Sequence, residues 1–254
     1  MNRAQLPLRE ANPTPVQPTY RRLAWVGGGL LRLLTRQDWG PADNLPAAGG
    51  VIVVANHISN FDPAALAQFL IWHGRWPRAL GKADLWQVPV IGWLATQCGQ
   101  IPVERNTARA GNALVPAEEA LKRGECVLIY PEGTITADPD GWPMTAHAGA
   151  ARLALSTGCP VVPIGQWGAQ QVMGGKKPTF PTFLPRSTMT FRVGEPIDVA
   201  DLAGRTDRAA VLEVGRRIMA SITALVAGIR GEVAPAERYD LRAGRRVPQL
   251  PAGD

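Results

Sequence analysis

The sequence predicts an α/β fold in which a mainly parallel central sheet is flanked by helices. Three observations carry that expectation: short apolar or β-branched runs bounded by turn residues, helix-like stretches alternating with them, and no repeat or linker splitting the body. With 254 residues, 46% hydrophobic and 19% charged, the chain can bury a sizeable core and is neither disordered nor fibrous.

The elements follow in order. Residues 1–18 hold Pro7, Pro13, Pro15 and Pro18 without apolar periodicity and read as an irregular leader. The next apolar run, Leu23–Leu31, is nine residues, well short of the roughly 20 that span a bilayer. Arg32 and Arg36 follow it with no small-residue cleavage pattern, which argues against a signal peptide, although Arg21-Arg22 before an apolar stretch is one of its features. A helix with Leu and Trp on one side and Arg at its ends suits the membrane interface. The alternative is a first helix packed on the domain, and Gly27–Gly29 makes it a poor free-standing helix.

Buried strands are predicted at Val51–Ala55, Cys126–Tyr130, Val161–Ile164 and Met189–Val193, with a further short one within 99–105. Helices are predicted over 63–73, 84–97, 107–123 (interrupted by Pro116), 148–157 and 207–229. The last places Val211, Val214, Ile218, Ile222, Leu225 and Ile229 on one face. After Gly231 the chain is polar and Arg-rich and reads as loosely held. The organisation expected is a basic N-terminal arm with an interfacial helix over 1–36, one domain over 37–230 and a polar C-terminal tail over 231–254.

The net charge of +6 is uneven. Residues 1–36 carry Arg3, Arg9, Arg21, Arg22, Arg32 and Arg36 against Glu10, a surplus of +5, whereas the body sums to zero. A nucleic-acid-binding domain is usually basic in its folded body, so no nucleic-acid partner is expected; one basic end suits an anionic membrane surface. Cys98, Cys126 and Cys159 are odd in number and form no CxxC pair, which argues against a disulfide framework or structural zinc and for a reducing compartment.

Ligands of open parallel sheets bind beyond the carboxyl ends of the strands, and polar residues gather there. After the first strand comes Asn56-His57-Ile58-Ser59-Asn60-Phe61-Asp62-Pro63. His57 and Asp62 are five apart, a spacing that separates them on a continuous helix. Asp62-Pro63 is a favourable N-cap and N1 pair, so residues 57–61 are expected to form a turn ahead of the helix. Such a turn can bring carboxylate to imidazole, leaving the other ring nitrogen to take a proton from an alcohol. The plainer alternative is a capping aspartate and a histidine that ends a strand. Arg105 has the chemistry to clamp a phosphate or to pair with Glu104; Pro131-Glu132-Gly133-Thr134 suits a polyol site or a plain turn. No GxSxG or GxGxxG occurs, Gly174-Gly175-Lys176-Lys177 lacks the rest of a phosphate loop, and His57, Asp62 and His147 match no common metal spacing.

Four blocks, over roughly residues 45–200, resemble in order the motifs of the glycerolipid acyltransferases of the 1-acyl-sn-glycerol-3-phosphate type, the HxxxxD-motif family. They are Asn56-His57-x4-Asp62, Ile101-Pro102-Val103-x-Arg105, Tyr130-Pro131-Glu132-Gly133-Thr134 and Val161-Val162-Pro163-Ile164. Lys82-Ala83-Asp84-Leu85, leading to Gly92-Trp93-Leu94, is similar to the stretch between the first two.

The resemblance implies that His57 is the general base and Asp62 orients it. It implies that Arg105 and the Glu132-Gly133-Thr134 turn bind a phosphorylated glycerol acceptor, with Asn56 and Ser59 beside them. Lys82 adds positive charge and Pro163 shapes the acyl side. Acyl-CoA or acyl-carrier protein is then the co-substrate, with no cofactor or metal. A lysophospholipid is the acceptor, and the enzyme sits peripherally on the anionic cytoplasmic face of the cell membrane. Two departures bear on the acceptor: Ile135, Thr136 and Ala137 stand where the family often has a basic residue, and His147 where it often has lysine. They keep open another lysophospholipid or a glycolipid acceptor. A non-catalytic lipid-binding domain is the alternative of a different class.

Overall fold

The computed structural model describes residues 3–104, 114–175 and 179–248. After a 3-10 turn at Arg3–Gln5, the N-terminal elements are α1 (Leu8–Ala11), α2 (Pro18–Leu34) and β1 (Arg36–Trp39). Then come β2 (Val51–Ala55), α3 (Asp62–Trp72), β3 (Pro77–Lys82), α4 (Pro89–Gln97), β4 (Ile101–Val103) and α5 (Val115–Lys122). The remainder is β5 (Cys126–Ile129), α6 (Gly149–Thr157), β6 (Val161–Trp167), β7 (Thr188–Val193), α7 (Arg208–Arg230), β8 (Glu237–Asp240) and β9 (Arg245–Pro248).

Seven strands form one sheet in the order β1-β7-β6-β2-β5-β3-β4. Every pairing is parallel except β6 with β7. Strand β2 is central and buried throughout, which is why it reads as an unbroken apolar run rather than an alternation. Its side chains still alternate between two cores. Ile52 and Val54 join the cluster under α5, α6 and α7, while Val51, Val53 and Ala55 pack with Ala65, Leu66, Phe69 and Leu70 of α3. Helix α7 presses closely on β6, since a Cβ at Gly165 would lie 2.6 Å from that of Leu225.

The leader is more ordered than expected. Leu8, Ala11 and Tyr20 form a small core with Ile71, Trp72 and Trp76. Helix α2 crosses α3 at Gly28, where a Cβ would fall 2.3 Å from the Trp72 ring, and Gln68 donates to the Gly28 carbonyl at 3.1 Å. Of the glycine run that weakens α2 alone, Gly28 thus permits this close crossing. The expected helix over 84–97 divides into a 3-10 turn at Ala83–Gln87 and α4, with proline at the start of the α-helix. Of the one over 107–123, residues 107–113 lie outside the described ones, and α5 begins beside Pro116. Over its described residues, which end at 248, the polar tail is not loose: β8 and β9 pair as an antiparallel hairpin docked on the loop after β5.

Candidate active site

Strands β2, β5, β3 and β4 run in parallel, so Asn56-His57, Tyr130–Thr134, Lys82 and Glu104 all leave the same end of the sheet. At this end the 57–61 turn folds the chain back. Asp62 starts α3 but makes no side-chain cap on it, contrary to the N-cap expectation. Its Oδ2 instead accepts the N–H of Ile58 at 2.7 Å and of Ser59 at 2.8 Å, and lies 2.8 Å from His57 Nδ1. Two main-chain donors fix the carboxylate, and the carboxylate fixes the imidazole.

Asp62 is fully buried, which pushes its carboxyl above the usual carboxylate range; the hydrogen bonds from His57, Ser59 and Ile58 oppose that shift. With Nδ1 donating to an Oδ2 that already takes two N–H bonds, Nε2 is the ring nitrogen left with a lone pair. The Tyr130 ring stacks on the imidazole with centroids 4.2 Å apart and planes 18° from parallel. Burial raises the Tyr130 hydroxyl well above 10, so this wall is neutral.

The backbone of His57 is held on both sides by the loop after β5. Its N–H donates to Glu132 Oε1 at 2.9 Å, and its carbonyl accepts the N–H of Thr136 at 2.7 Å. Glu132 Oε2 accepts the N–H of Met144 at 2.9 Å. Glu132 is buried, which pushes its carboxyl up to about 8. Its expected hydrogen bonds to an acceptor are therefore corrected: both oxygens are engaged by main-chain donors, and Glu132 supports His57 from behind.

Asn56 and Ser59, expected beside the acceptor, are likewise turned inward. Asn56 exchanges hydrogen bonds with the main chain of Gln166 at 3.0 and 2.9 Å, tying the exits of β2 and β6 together. Ser59 Oγ donates to the Met173 carbonyl at 2.6 Å. Pro163 is buried within β6, paired with Val54. Thr134 and Gly133 are half-buried on the loop that carries Glu132, while Lys82 is exposed at the end of β3 and pairs with Asp84. Arg105 lies outside the described residues, and the main-chain N–H of His147 is bonded to the Pro131 carbonyl at 2.8 Å.

Sequence reasoning gave no role to Tyr130, Thr136, Met144 or Gln166. Tyr130 stands at a strand exit and inside one of the four motif blocks, but neither marks it as a stacking partner; the bonds of Thr136 to His57 and of Met144 to Glu132 come from main-chain N–H groups, which leave no mark on side-chain identity. Chemically, the arrangement is a buried carboxylate, an oriented imidazole and a lone-pair nitrogen able to take a proton from a hydroxyl. No cluster of three or more metal-ligating side chains occurs among the described residues.

A family profile described as Acyltransferase matches residues 40–167, a span that includes His57, Asp62, Glu132 and Pro163. The chain is 33% identical over 133 residues to a chloroplastic 1-acyl-sn-glycerol-3-phosphate acyltransferase of Brassica napus, covering 52% of this chain and 37% of the relative. It is 27% identical over 161 residues to the 1-acyl-sn-glycerol-3-phosphate acyltransferase of Bacillus subtilis, covering 63% and 73%. The chain thus spans less than half the length of the chloroplastic relative. In fold it is similar to the crystal structure of the 1-acyl-sn-glycerophosphate acyltransferase PlsC of Thermotoga maritima, with a TM-score of 0.66, 22% identity, and coverage of 85% of this chain and 81% of that one.

Proposed function

The chain belongs to the acyltransferase family, and from that premise we propose that it moves a fatty acyl group from acyl-CoA or acyl-carrier protein to the free hydroxyl of 1-acyl-sn-glycerol-3-phosphate, giving phosphatidate. The observation that carries the reading is the His57–Asp62 contact of 2.8 Å at the exit of the central strand.

In the proposed step the acceptor hydroxyl lies at His57 Nε2. As its oxygen attacks the thioester carbonyl carbon, its proton passes to Nε2, and Asp62 stabilises the imidazolium. Collapse of the tetrahedral adduct breaks the carbon–sulfur bond, and the departing thiolate takes the proton back from Nε2. The acceptor is itself the nucleophile, so no acyl-enzyme forms. Arg105 is assigned to the acceptor phosphate, with Lys82 adding charge and the Gly133-Thr134 backbone lining the approach. Pro163 contributes to the acyl side from within β6, and Asn56 and Ser59 hold the walls rather than the substrate.

The acceptor is a lipid, and the proposed site of action is the anionic cytoplasmic face of the membrane. No helix among the described residues is long and apolar enough to cross a bilayer. Helix α2 exposes Trp25, Val26, Leu30 and Leu33, apolar area suited to shallow insertion. A second exposed apolar ridge, Val90, Ile91, Trp93 and Leu94 of α4, follows β3 from the site end. Two parts of the expected arm face inward: Tyr20 is buried with its hydroxyl donating to the Pro77 carbonyl at 3.0 Å, and Arg21 and Arg32 lie over the rings of Trp76 and Trp72.

Ile135, Thr136 and Ala137 bring no cation to the loop after Glu132, which favours a second reading with a different lysophospholipid or a glycolipid acceptor. Purified protein, labelled acyl-CoA and a panel of lysolipids decide between them. The first reading expects phosphatidate as the dominant product; transfer only to another acceptor selects the second, and no acceptor-dependent thiol release overturns both.

A further inference from the structure

The C-terminal hairpin touches the same loop that holds His57. The N–H of Thr145 donates to the Tyr239 carbonyl at 3.0 Å, and Thr145 Oγ1 donates to Asp240 Oδ2 at 3.2 Å. Arg246, opposite Tyr239 in the β8–β9 ladder, forms a fork on Asp138: Nε to Oδ2 at 2.7 Å and Nη2 to Oδ1 at 2.8 Å. Nη2 also reaches Asp140 Oδ2 at 2.7 Å. The Asp138 side chain is 1% exposed while the Arg246 side chain keeps 28% of its surface, so the fork seats a part-exposed guanidinium on a covered carboxylate, and charge-assisted bidentate pairs of that kind hold geometry well.

Asp138 in turn organises the loop. Its Oδ1 accepts the N–H groups of Asp140 at 2.9 Å and Trp142 at 3.3 Å, closing a turn. The Trp142 carbonyl accepts Thr136 Oγ1 at 2.7 Å, and the Thr136 N–H donates to the His57 carbonyl at 2.7 Å. Two residues past Trp142, the Met144 N–H reaches Glu132, whose other oxygen takes the His57 N–H. Both main-chain groups of His57 therefore rest on one loop, and the hairpin clamps that loop at 138, 140 and 145. The hairpin also buries Arg238, on which the Glu132 carboxylate acts electrostatically against the cost of burial.

We propose that the β8–β9 hairpin is part of the acyl-transfer apparatus, with Arg246 as a positioning residue that acts through Asp138 and the 132–145 loop to hold His57 in register with the reacting hydroxyl. The inference rests on the reading of His57 as the proton acceptor. Arg246 touches neither substrate nor the imidazole. Its effect is on the placement of the ring, where an error of about 1 Å costs on the order of 10²-fold in rate.

The test compares Arg246→Ala, Arg246→Lys and Asp138→Asn with the full-length parent in steady-state acyl transfer, alone and in a His57→Ala background. Arg246→Ala is expected to lower kcat by about 10- to 100-fold with both KM values little changed. Arg246→Lys, which keeps the charge but loses the fork, should restore only part of that loss. Adding Asp138→Asn to Arg246→Ala should cost little more, because the two act as one unit. In the His57→Ala background, Arg246→Ala should leave the residual rate unchanged. A wild-type kcat in Arg246→Ala, a rise in KM alone, or an equal loss with and without His57 overturns the proposal. Arg246→Lys guards against a folding failure, since a soluble Lys variant as impaired as the Ala variant in both backgrounds marks a merely structural role. Undiminished activity of His57→Ala by itself overturns the parent reading instead.

Discussion

Glu132 Oε1 accepts the main-chain N–H of His57 at 2.9 Å, from a position buried enough to push its carboxyl up to about 8. The carboxyl is therefore a prop for the main chain of His57, with a main-chain donor on each oxygen.

This position gives stability a defined pH dependence. Because the folded-state value lies above the ordinary 4.5, the contribution of Glu132 is fully present below about 4.5 and is lost as pH rises towards and through 8. The slope across that window approaches about 1.4 kcal/mol per pH unit. Glu132→Gln removes the titration but sets an amide N–H against a main-chain N–H, costing about 1–3 kcal/mol at pH 6. Urea unfolding of parent and variant should show the gap narrowing as pH rises from 6 to 9. Parallel stability curves would contradict it.

The proposed function gives Arg105 the acceptor phosphate, and on that proposal Arg105→Ala should raise KM for 1-acyl-sn-glycerol-3-phosphate by about 10-fold or more, the value of a lost charge-assisted fork of about 1.5–3 kcal/mol. KM for the acyl donor should move much less. Initial-rate kinetics with each substrate varied in turn will show which. A rise confined to the donor would move Arg105 to the coenzyme side.

The parts that are legible in the sequence are those in which burial shapes composition. Val51–Ala55 is a strand buried on both faces and consists of nothing but apolar residues. Helix α7 shows its periodicity because one face lies on β6. Strand β1, Arg36–Trp39, escapes notice because it is a half-exposed edge with two charged residues, and β3 because Pro77–Lys82 contains no β-branched residue. The hairpin escapes because Glu237–Asp240 and Arg245–Pro248 are polar strands held by ion pairs and main-chain bonds. Within the site, the His57–Asp62 contact is readable because five residues and a following proline suffice to form the turn. The support by Glu132 is not, since its partners are N–H groups 75 and 12 positions away.

The membrane reading rests on exposed side chains of α2 rather than on the whole arm, because Tyr20 and Gly28 tie that helix to the core. Trp25→Ser with Leu33→Ser should keep the fold. It should weaken co-sedimentation with anionic vesicles by about tenfold or more, each such side chain contributing up to about 1.5–3 kcal/mol when buried. Raised salt should weaken binding of the parent, and activity on short-chain soluble substrates should survive in the variant. Unchanged, salt-insensitive binding would move the contact to the α4 ridge.

In the proposed reaction His57 takes the proton of the acceptor hydroxyl. The most direct test of this step is the initial rate of acceptor-dependent thiol release from acyl-CoA by His57→Ala, with far-UV and thermal unfolding checked against the parent. The expected result is a folded protein with the rate lowered by about 10²–10⁴-fold, the usual worth of a general base. A folded His57→Ala protein turning over at close to the parent rate would contradict it.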